Sequence, residues 1–264
     1  MAITSFDPGL IAAAKQYLGW VRTGVRTTVA AGWFGMLDLA GNPGAGTLAG
    51  SNTANGVVPS DLTAGFNIID AFGGGATGYL AQVEFGNTVA SRLRMSDMLF
   101  KAGAFAFNAN AALTAQPSYA ARLPATNYAE AVIWVEAVTA FTGNPTFTIT
   151  YTNQAGTAGR IATLAAGLAP TIGRRLMIPL QAGDAGVQKI DNVQCTVATV
   201  GTFNVLVLRQ IWGGRVRLAN DGDVHGPDKT LLAVVFADSA LDIMISADST
   251  SSGVPELEYV IANG

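Results

Sequence analysis

The sequence predicts a mainly β protein: an antiparallel β-sandwich, jelly-roll-like, with an N-terminal helix and a glycine-rich arm in front of it. Two observations support this prediction. Short apolar or alternating runs recur along most of the chain, and turn-forming Gly, Asn, Pro and Asp residues bound them. The best helical pattern lies within the first 20 residues. Apolar strands joined by short turns are typical of sandwiches and barrels.

The clearest strands form a meander in the middle of the chain. Residues 131–138 are apolar or β-branched at nearly every position, which suits a strand that is covered on both faces. Residues 146–152 alternate strictly between large apolar side chains and threonines, and residues 157–163 can return as a third strand. The pattern therefore predicts an antiparallel meander, with Trp134 in its core.

Residues 1–60 are predicted to form a helix and an attachment arm. Asp7 can cap a helix over residues 7–18, and Pro8 suits its first position. Residues 40–56 carry no charge and few large side chains, so internal burial cannot offset their ordering entropy. We expect this arm to lie along a partner, and a variant lacking it to fold but to lose its attachment. The alternative is a helix packed on its own sandwich, followed by an ordinary surface loop.

Residues 61–264 are predicted to form the β-sandwich, with a sub-boundary near residue 120. Strand patterns in this part occur at residues 66–72, 78–85, 88–95, 176–180, 187–200, 203–211, 231–236, 241–247 and 256–261.

The composition indicates a protein that associates with other protein. The 264 residues are 50% hydrophobic but only 12% charged, against about 25% charged in typical soluble domains. No apolar run reaches the length of about 18 residues that a membrane helix needs, and no secretory pattern stands at the N-terminus. We therefore predict a homo-oligomer, with a trimer favoured; a monomer with a surface of Ser, Thr, Asn and Gly is the alternative. The net charge of −3 argues against nucleic acid as a partner.

One glycine motif and one acidic segment resemble binding sites. Gly73–Gly78 matches the dinucleotide pattern, but the pattern needs a following helix, and residues 79–85 alternate as a strand. Asp221–Gly226 begins like a calcium loop, yet His225 occupies the fifth ligand position and Leu232 the twelfth. The first segment is therefore predicted to be an inter-strand loop. The second is predicted to be an acidic surface turn, with weak calcium binding as the alternative.

The sequence contains few residues that could act as a nucleophile or bind a metal ion. His225 is the only histidine, and no G-x-S-x-G elbow exists that could supply a serine partner. Cys195 is the only cysteine, and strand alternation around it predicts a packed core thiol. The ligands of a zinc site are lacking.

Three glutamates and one tryptophan are the remaining candidates. Glu84, Glu130 and Glu136 could include a glycosidase pair, although strand glutamates more often face solvent or pair with arginine. Trp212 stands beside two glycines and could form a sugar-binding platform.

Arginine is concentrated in three short pairs. Because guanidinium groups bind carboxylates in a fork and lose less hydration than ammonium groups, such pairs favour buried or interfacial ion pairs. Solvated strand faces are the alternative. The pairs are Arg92 with Arg94, Arg174 with Arg175, and Arg215 with Arg217.

Three segments resemble virion structural proteins of tailed bacteriophages, of the capsid decoration (cement) type. They are residues 134–143 (WVEAVTAFTG), 148–160 (TITYTNQAGTAGR) and 179–187 (PLQAGDAGV), and the resemblance covers roughly residues 78–210. It implies a β-sandwich on the phage head surface, often a trimer, that contacts the major capsid protein and clamps neighbouring capsomers. Such a protein is made in the host cytoplasm. The family offers no catalytic, cofactor or metal residue to transfer.

The sequence thus predicts a non-enzymatic phage virion protein, most specifically a capsid decoration protein that stabilises the head shell. No catalytic, cofactor-binding or metal-binding residue is predicted. Two alternatives stay open: a carbohydrate-binding jelly-roll module of a tail or fibre protein, and a glycosidase-like enzyme.

Overall fold

Antiparallel strands build the described part of the chain, which confirms the predicted mainly β, sandwich-type fold. The structure is a computed structural model, and it describes residues 9–73, 77–141, 143–165, 171–196 and 200–264. None of the helices in these ranges is long and apolar enough to cross a membrane.

The strands are numbered in chain order: β1 Lys15–Arg22, β2 Trp33–Gly35, β3 Gly41–Asn42, β4 Asn52–Val57, β5 Gly78–Asn87, β6 Ser91–Ala106, β7 Asn110–Ala112, β8 Ala131–Ala137, β9 Thr146–Asn153, β10 Arg160–Ala165, β11 Arg174–Met177, β12 Val187–Thr196, β13 Thr202–Val216, β14 Asp221–His225, β15 Val234–Val235, β16 Leu241–Ala247 and β17 Glu256–Asn263. The helices are short: α1 Gly9–Ala12, α2 Pro227–Thr230, and 3-10 turns at Ala120–Arg122 and Pro124–Thr126.

Six strands close into a small central barrel. Their order is β13–β8–β11–β2–β16–β6, and β6 pairs back with β13 to complete the ring. β6 and β13 are 16 and 15 residues long, and their pairing runs from one end of both strands to the other. A closed ring leaves none of its six strands with a free edge along the contact.

A second sheet, here called the outer sheet, covers one side of the barrel. Its order is β14–β5–β17–β1–β3, with β15 also paired to β5. Side chains from both layers are fully or almost fully buried between them, in a cluster that includes Trp20, Leu80, Phe85, Leu93, Met95, Trp212, Ile243, Tyr259 and Ile261. The two layers therefore pack as a sandwich.

A third sheet, here called the small sheet, covers another side of the barrel in the order β10–β9–β12–β7. The alternation predicted for residues 146–152 is confirmed, because Phe147, Ile149 and Tyr151 are fully buried against the barrel. The predicted three-stranded meander is not observed, because β8 lies in the barrel and does not pair with β9. β8 has one face towards the barrel interior and the other towards the small sheet, which explains its nearly continuous apolar sequence.

The barrel interior is filled by side chains. Its apolar part includes Leu37, Met98, Trp134, Leu206, Leu208 and Met244. Trp134 is only 4% exposed, which confirms that it is a core residue.

The helix predicted over residues 7–18 does not continue beyond Ala12. Asp7 and Pro8 lie outside the described residues, α1 ends at Ala12, and Lys15–Arg22 forms β1 between β17 and β3. The apolar residues in this stretch also fit a strand, and seven consecutive residues of β1 pair with β17. Pairing with a strand at the far end of the chain outweighs a weak local preference for helix.

Residues 40–56 lie along the protein's own strands. They contain β3 and most of β4, and the backbone N–H of Gly50 donates to Asn204 Oδ1 at 2.8 Å. A Cβ at Gly50 would lie 2.8 Å from the Cα of Gly103 in β6, so only glycine allows this approach. A variant lacking residues 1–60 would lose β2, which closes the barrel, and we no longer expect it to fold. The attachment role of residues 1–60 stays a prediction.

Two other predicted strands differ from the structure. Residues 66–72 form no strand; Phe66, Ile69 and Phe72 are buried at every third position, a spacing that strand geometry does not produce. Residues 231–236 contribute only the two-residue β15.

We expect Trp134→Ala to lower the free energy of unfolding by about 3–5 kcal/mol, because it empties the centre of the barrel. Urea denaturation followed by circular dichroism measures the change. The control is Leu62→Ala, since Leu62 is 76% exposed. Equal midpoints for the two variants would contradict the placement of Trp134.

Candidate functional site

A buried cluster of ionisable side chains lies inside the barrel, around Arg175. Its Nε donates to Glu136 Oε1 at 2.8 Å, its Nη2 donates to Asp242 Oδ1 at 3.2 Å, and its Nη1 also bonds Asp242. Asn204 Nδ2 donates to the second oxygen of Glu136 at 2.8 Å. None of these four side chains is more than 2% exposed.

Strand register places this cluster. Glu136 in β8 lies directly opposite Arg175 in β11 and directly opposite Asn204 in β13. Gly35 in β2 leaves the necessary space, since a Cβ there would lie 2.6 Å from both Arg175 Nη2 and Glu136 Oε1. The barrel thus needs a glycine at this point because the ion pair occupies the volume of a side chain.

Burial and the neighbouring opposite charges shift the pKa of every ionisable group in the cluster in opposite directions. Burial alone would raise the pKa of Glu136, but Arg175 and Lys101 hold it below its ordinary value. Burial raises the pKa of Asp242 despite the same arginine. Burial would lower the pKa of Arg175, and the two carboxylates instead raise it. Arg175, assisted by the charge of Lys101, therefore compensates two carboxyl groups that are each only 1% exposed.

A second buried ion cluster lies outside the barrel wall, around Asp97 of β6. Arg122 bonds it, Ser239 Oγ donates to it at 2.8 Å, and Arg209 Nη2 lies 3.7 Å away. Burial lowers the pKa of both Arg122 and Arg209 to about 10. Arg122 also donates to the carbonyl of Met98 at 3.0 Å. These bonds join β6 and β13 to the segment around the predicted boundary at residue 120.

A third polar cluster closes one end of the small sheet. Asp184 accepts bonds from Tyr151 Oη at 2.6 Å, Asn153 Nδ2 at 2.7 Å and Arg160 Nε at 2.9 Å. The bonds from Arg160 and Tyr151 lower the pKa of Asp184 to about 2. All four residues belong to two of the segments that resemble phage proteins, so the resemblance includes a contact that holds a turn against a sheet.

The acidic segment at residues 221–226 is a strand, not the predicted turn. Asp221–His225 forms β14, which pairs with β5 at the edge of the outer sheet. Among the described residues no three His, Cys, Asp or Glu side chains are arranged to hold a metal ion. Asp223 instead lies 3.5 Å from His225 Nε2 and 3.8 Å from Lys229 Nζ.

His225 has a polar neighbour at each ring nitrogen. Trp212 Nε1 donates to Nδ1 at 3.0 Å, and Phe85 packs edge-on against the ring at 4.9 Å between centroids. Burial, and the charge of Lys229, lower the pKa of His225 below 6.5. The imidazole is thus neutral at neutral pH and joins the outer sheet to the barrel.

Trp212 is not the exposed platform that the sequence suggested. It is 3% exposed and packs edge-on against Phe85 at 4.8 Å between ring centroids. The adjacent Gly214 leaves room for the indole, since a Cβ there would lie 2.5 Å from it.

The three candidate glutamates lie in different places. Glu84 is on the exposed face of the outer sheet, Glu130 precedes β8, and Glu136 is buried in the barrel. The carboxylate that does lie near Glu136 is Asp242, which sequence reasoning missed. The signal that the sequence offered for this pairing was a single acidic residue, Asp242, within the otherwise apolar run of β16.

Cys195 is buried, as predicted, and burial raises the pKa of its thiol to about 12. Gly73–Gly78 lies partly outside the described residues. Gly78 opens β5, so a strand and not a helix follows the motif, as expected.

The three arginine pairs have different surroundings. Arg175 is in a buried ion pair, as one interpretation predicted, and Arg174 beside it is half-buried. Arg92, Arg215 and Arg217 are exposed, and Arg94 stacks on Trp33 at 4.3 Å from the ring centroid.

Comparisons with known proteins identify no family. No protein-family model and no curated protein matches the chain. Among solved structures, T=1 particles derived from infectious bursal virus are similar over 95% of this chain and 77% of that chain, at 7% identity and a TM-score of 0.20. Structures of the Gx and Gt strains of infectious bursal disease virus cover 95% and 94% of this chain and 41% and 42% of theirs. Their identities are 10% and 8%, and their TM-scores 0.12 and 0.14. Scores this low carry no argument about function.

We expect Arg175→Met to lower the free energy of unfolding by about 3–5 kcal/mol, because it leaves two buried carboxyl groups without their cation. Arg174→Met is the matched control, since it removes the neighbouring guanidinium from a half-buried position. Guanidinium chloride denaturation compares the two variants. Equal losses would show that the barrel does not depend on this ion cluster.

We expect NMR titration of the only imidazole in the chain to give a pKa below 6.5. In Trp212→Phe the pKa should rise, because a bond that favours the neutral ring is removed. Trp134→Phe, which changes a tryptophan inside the barrel, should leave it unchanged. A pKa at or above 6.5 in the unmodified protein would contradict the structural role of His225.

Proposed function

We propose that this protein is a non-enzymatic structural protein of a virus particle. More specifically, we propose a capsid decoration protein of a tailed bacteriophage, which binds the major capsid protein on the head surface and stabilises the shell. It is made in the host cytoplasm and assembles as a homo-oligomer, with a trimer favoured. The resemblance of residues 134–143, 148–160 and 179–187 supports the phage assignment.

The observation that carries the proposal is the shortage of charge on the outside of the protein. Six of the fifteen Lys and Arg side chains are buried, so the surface is poorer in charge than the composition alone suggests. Several large apolar side chains are exposed at the same time: Ile11, Tyr17, Leu62, Ile68, Leu218 and Leu231 are each more than 60% exposed. Such a surface is more stable when other protein covers it.

The chemically reactive groups favour a structural role as well. Glu136 and Asp242 share one buried guanidinium, and His225 Nδ1 accepts a hydrogen bond from Trp212. The Cys195 thiol is held in its protonated form by burial. Each of these groups stabilises a contact between strands or sheets.

Carbohydrate binding is the second candidate, and one observation favours it. Tyr17 is 75% exposed beside Glu84 and Glu258, in an open groove of about 520 Å³ on the outer sheet. An exposed aromatic ring with adjacent carboxylates is a usual feature of sugar-binding surfaces. Glycan-array binding that Tyr17→Ala abolishes would favour this candidate over the first.

Binding to capsids tests the first candidate. We expect the purified protein to add to capsids of the parent virus that lack it, and cryo-EM of these particles to show it on the head surface. Light scattering should give the mass of an oligomer at micromolar concentration. Density inside the tail, or failure to bind any capsid, would contradict the decoration role.

The same assay tests attachment through residues 1–60. Ile11→Ser with Val25→Ser changes two side chains in this part that are 69% and 55% exposed. We expect weaker capsid binding, while Ile161→Ser, at a 53% exposed position on the small sheet, should bind normally. The opposite order of effects would place the contact on the small sheet.

A further inference from the structure

Two open surfaces of the molecule carry opposite charge. We name the first the basic mouth; it consists of Arg92, Arg94, Arg215, Arg217 and Lys229 around one open cavity, whose lining also includes Asp223. We name the second the acidic face; it consists of Glu84, Glu256 and Glu258 on the solvent side of the outer sheet. The edge strand β14 lies between the two surfaces.

The basic mouth concentrates the positive charge of the protein that is not buried, although Lys229 lies 3.8 Å from Asp223. Nine Lys and Arg side chains are not buried, and five of them lie here. Within the described residues, Arg92, Arg94 and Arg217 have no carboxylate within 4.0 Å, and Arg215 only reaches Asp248 at that limit. Burial, and then the charge of Arg92, lower the pKa of Arg94.

Two carboxylates of the acidic face lie opposite glycines in the neighbouring strands. Glu258 lies opposite Gly19 of β1, and Glu256 lies opposite Gly86 of β5, so the carboxylates stand above a floor with few side chains. A Cβ at Gly19 would meet nothing within 4 Å. Within the described residues, no Lys, Arg or His lies within 4.0 Å of the three glutamates. The surface is therefore open to a cationic partner.

Each surface contains a like-charge pair directly across two strands. Arg92 of β6 is opposite Arg215 of β13, and Glu84 of β5 is opposite Glu258 of β17. Like charges at directly opposite positions destabilise a sheet. A partner of opposite charge offsets the repulsion within both pairs at once, whereas solvent only screens that repulsion.

We propose that the basic mouth of one copy of this chain binds the acidic face of a second copy. The proposal rests on the self-association that the proposed function includes, and it names the contact. The two surfaces lie on different sides of β14 in the same molecule, so they meet only between molecules. Exposed apolar side chains accompany both: Tyr17 and Val224 at the acidic face, and Leu218 after Arg217 at the basic mouth.

A contact between two different surfaces is heterologous. Repeated with the same rotation, it closes into a ring or continues as a filament. A rotation of one third of a turn gives the trimer that the composition favours. Every copy in such a ring has both surfaces covered, so no charged pair is left exposed.

Charge reversal in two separate proteins tests the contact. The first variant is Arg92→Glu with Arg215→Glu, and the second is Glu84→Lys with Glu258→Lys. In each variant the reversed pair faces a pair of the same sign on the neighbouring copy, and we expect the self-association constant to fall by at least about tenfold. Combined in one chain, the four changes make the pairs complementary at every contact again, and we expect the oligomer to re-form. Sedimentation velocity at low and high salt measures both effects.

Reversals elsewhere serve as controls. Lys189→Glu on the small sheet and Asp70→Lys, both outside the two surfaces, should associate like the unmodified protein. Circular dichroism checks that every variant is folded.

The outcomes separate the contact from the proposed function. An unmodified oligomer that neither double variant weakens would overturn the contact and leave the decoration role standing. A monomeric unmodified protein that still binds capsids would overturn the contact and the homo-oligomer together. If the unmodified protein is monomeric and binds a fluorescent DNA duplex that the Arg92→Glu, Arg215→Glu variant releases, the basic mouth serves nucleic acid and the proposal is wrong.

Discussion

Charge compensation inside the barrel is the constraint on which the arrangement of the protein depends. A closed ring of six strands has little interior volume, and this one encloses Arg175, Glu136 and Asp242 away from water. Separating any one of them from the others would leave a buried charge unpaired, which is far more costly than losing an apolar contact. The three residues come from β11, β8 and β16, so the ion cluster ties together strands that are distant in the sequence. Gly35 completes the arrangement by giving up its side-chain volume.

Around this interior, β6 and β13 hold the other two layers. One end of the pair packs against the outer sheet through residues such as Met95 and Trp212, and the other end packs against the small sheet through Phe105 and Phe203. The cluster around Asp97 lies on the outside of the same barrel wall. Two sandwiches thus share one central barrel, which is why a chain of this length forms several cores without separating into independent units.

The sequence predicted features that depend on neighbours in the chain and missed those that depend on closure of the barrel. The alternation of Phe147, Ile149 and Tyr151 identified a strand correctly, because burial on one face imposes a period of two. Leu18 and its neighbours were assigned to a helix, since the partner of β1 lies more than 200 residues away and no local pattern reveals it. The pairing of Asp242 with Arg175 was equally hidden. A lone acid in an apolar strand indicates a buried ion, but only the order of strands around the ring identifies its partner.

The pairing of β1 with β17 has a consequence for synthesis. Lys15 lies opposite Ala262, so β1 leaves the ribosome long before β17, its main partner in the sheet, exists. At about 5–20 residues per second, this delay is on the order of tens of seconds. During that time Trp20 and the inward face of β1 have no outer sheet to cover them. The outer sheet is therefore completed only after residue 263 has left the ribosome, and β1 must stay free of other partners until β17 arrives.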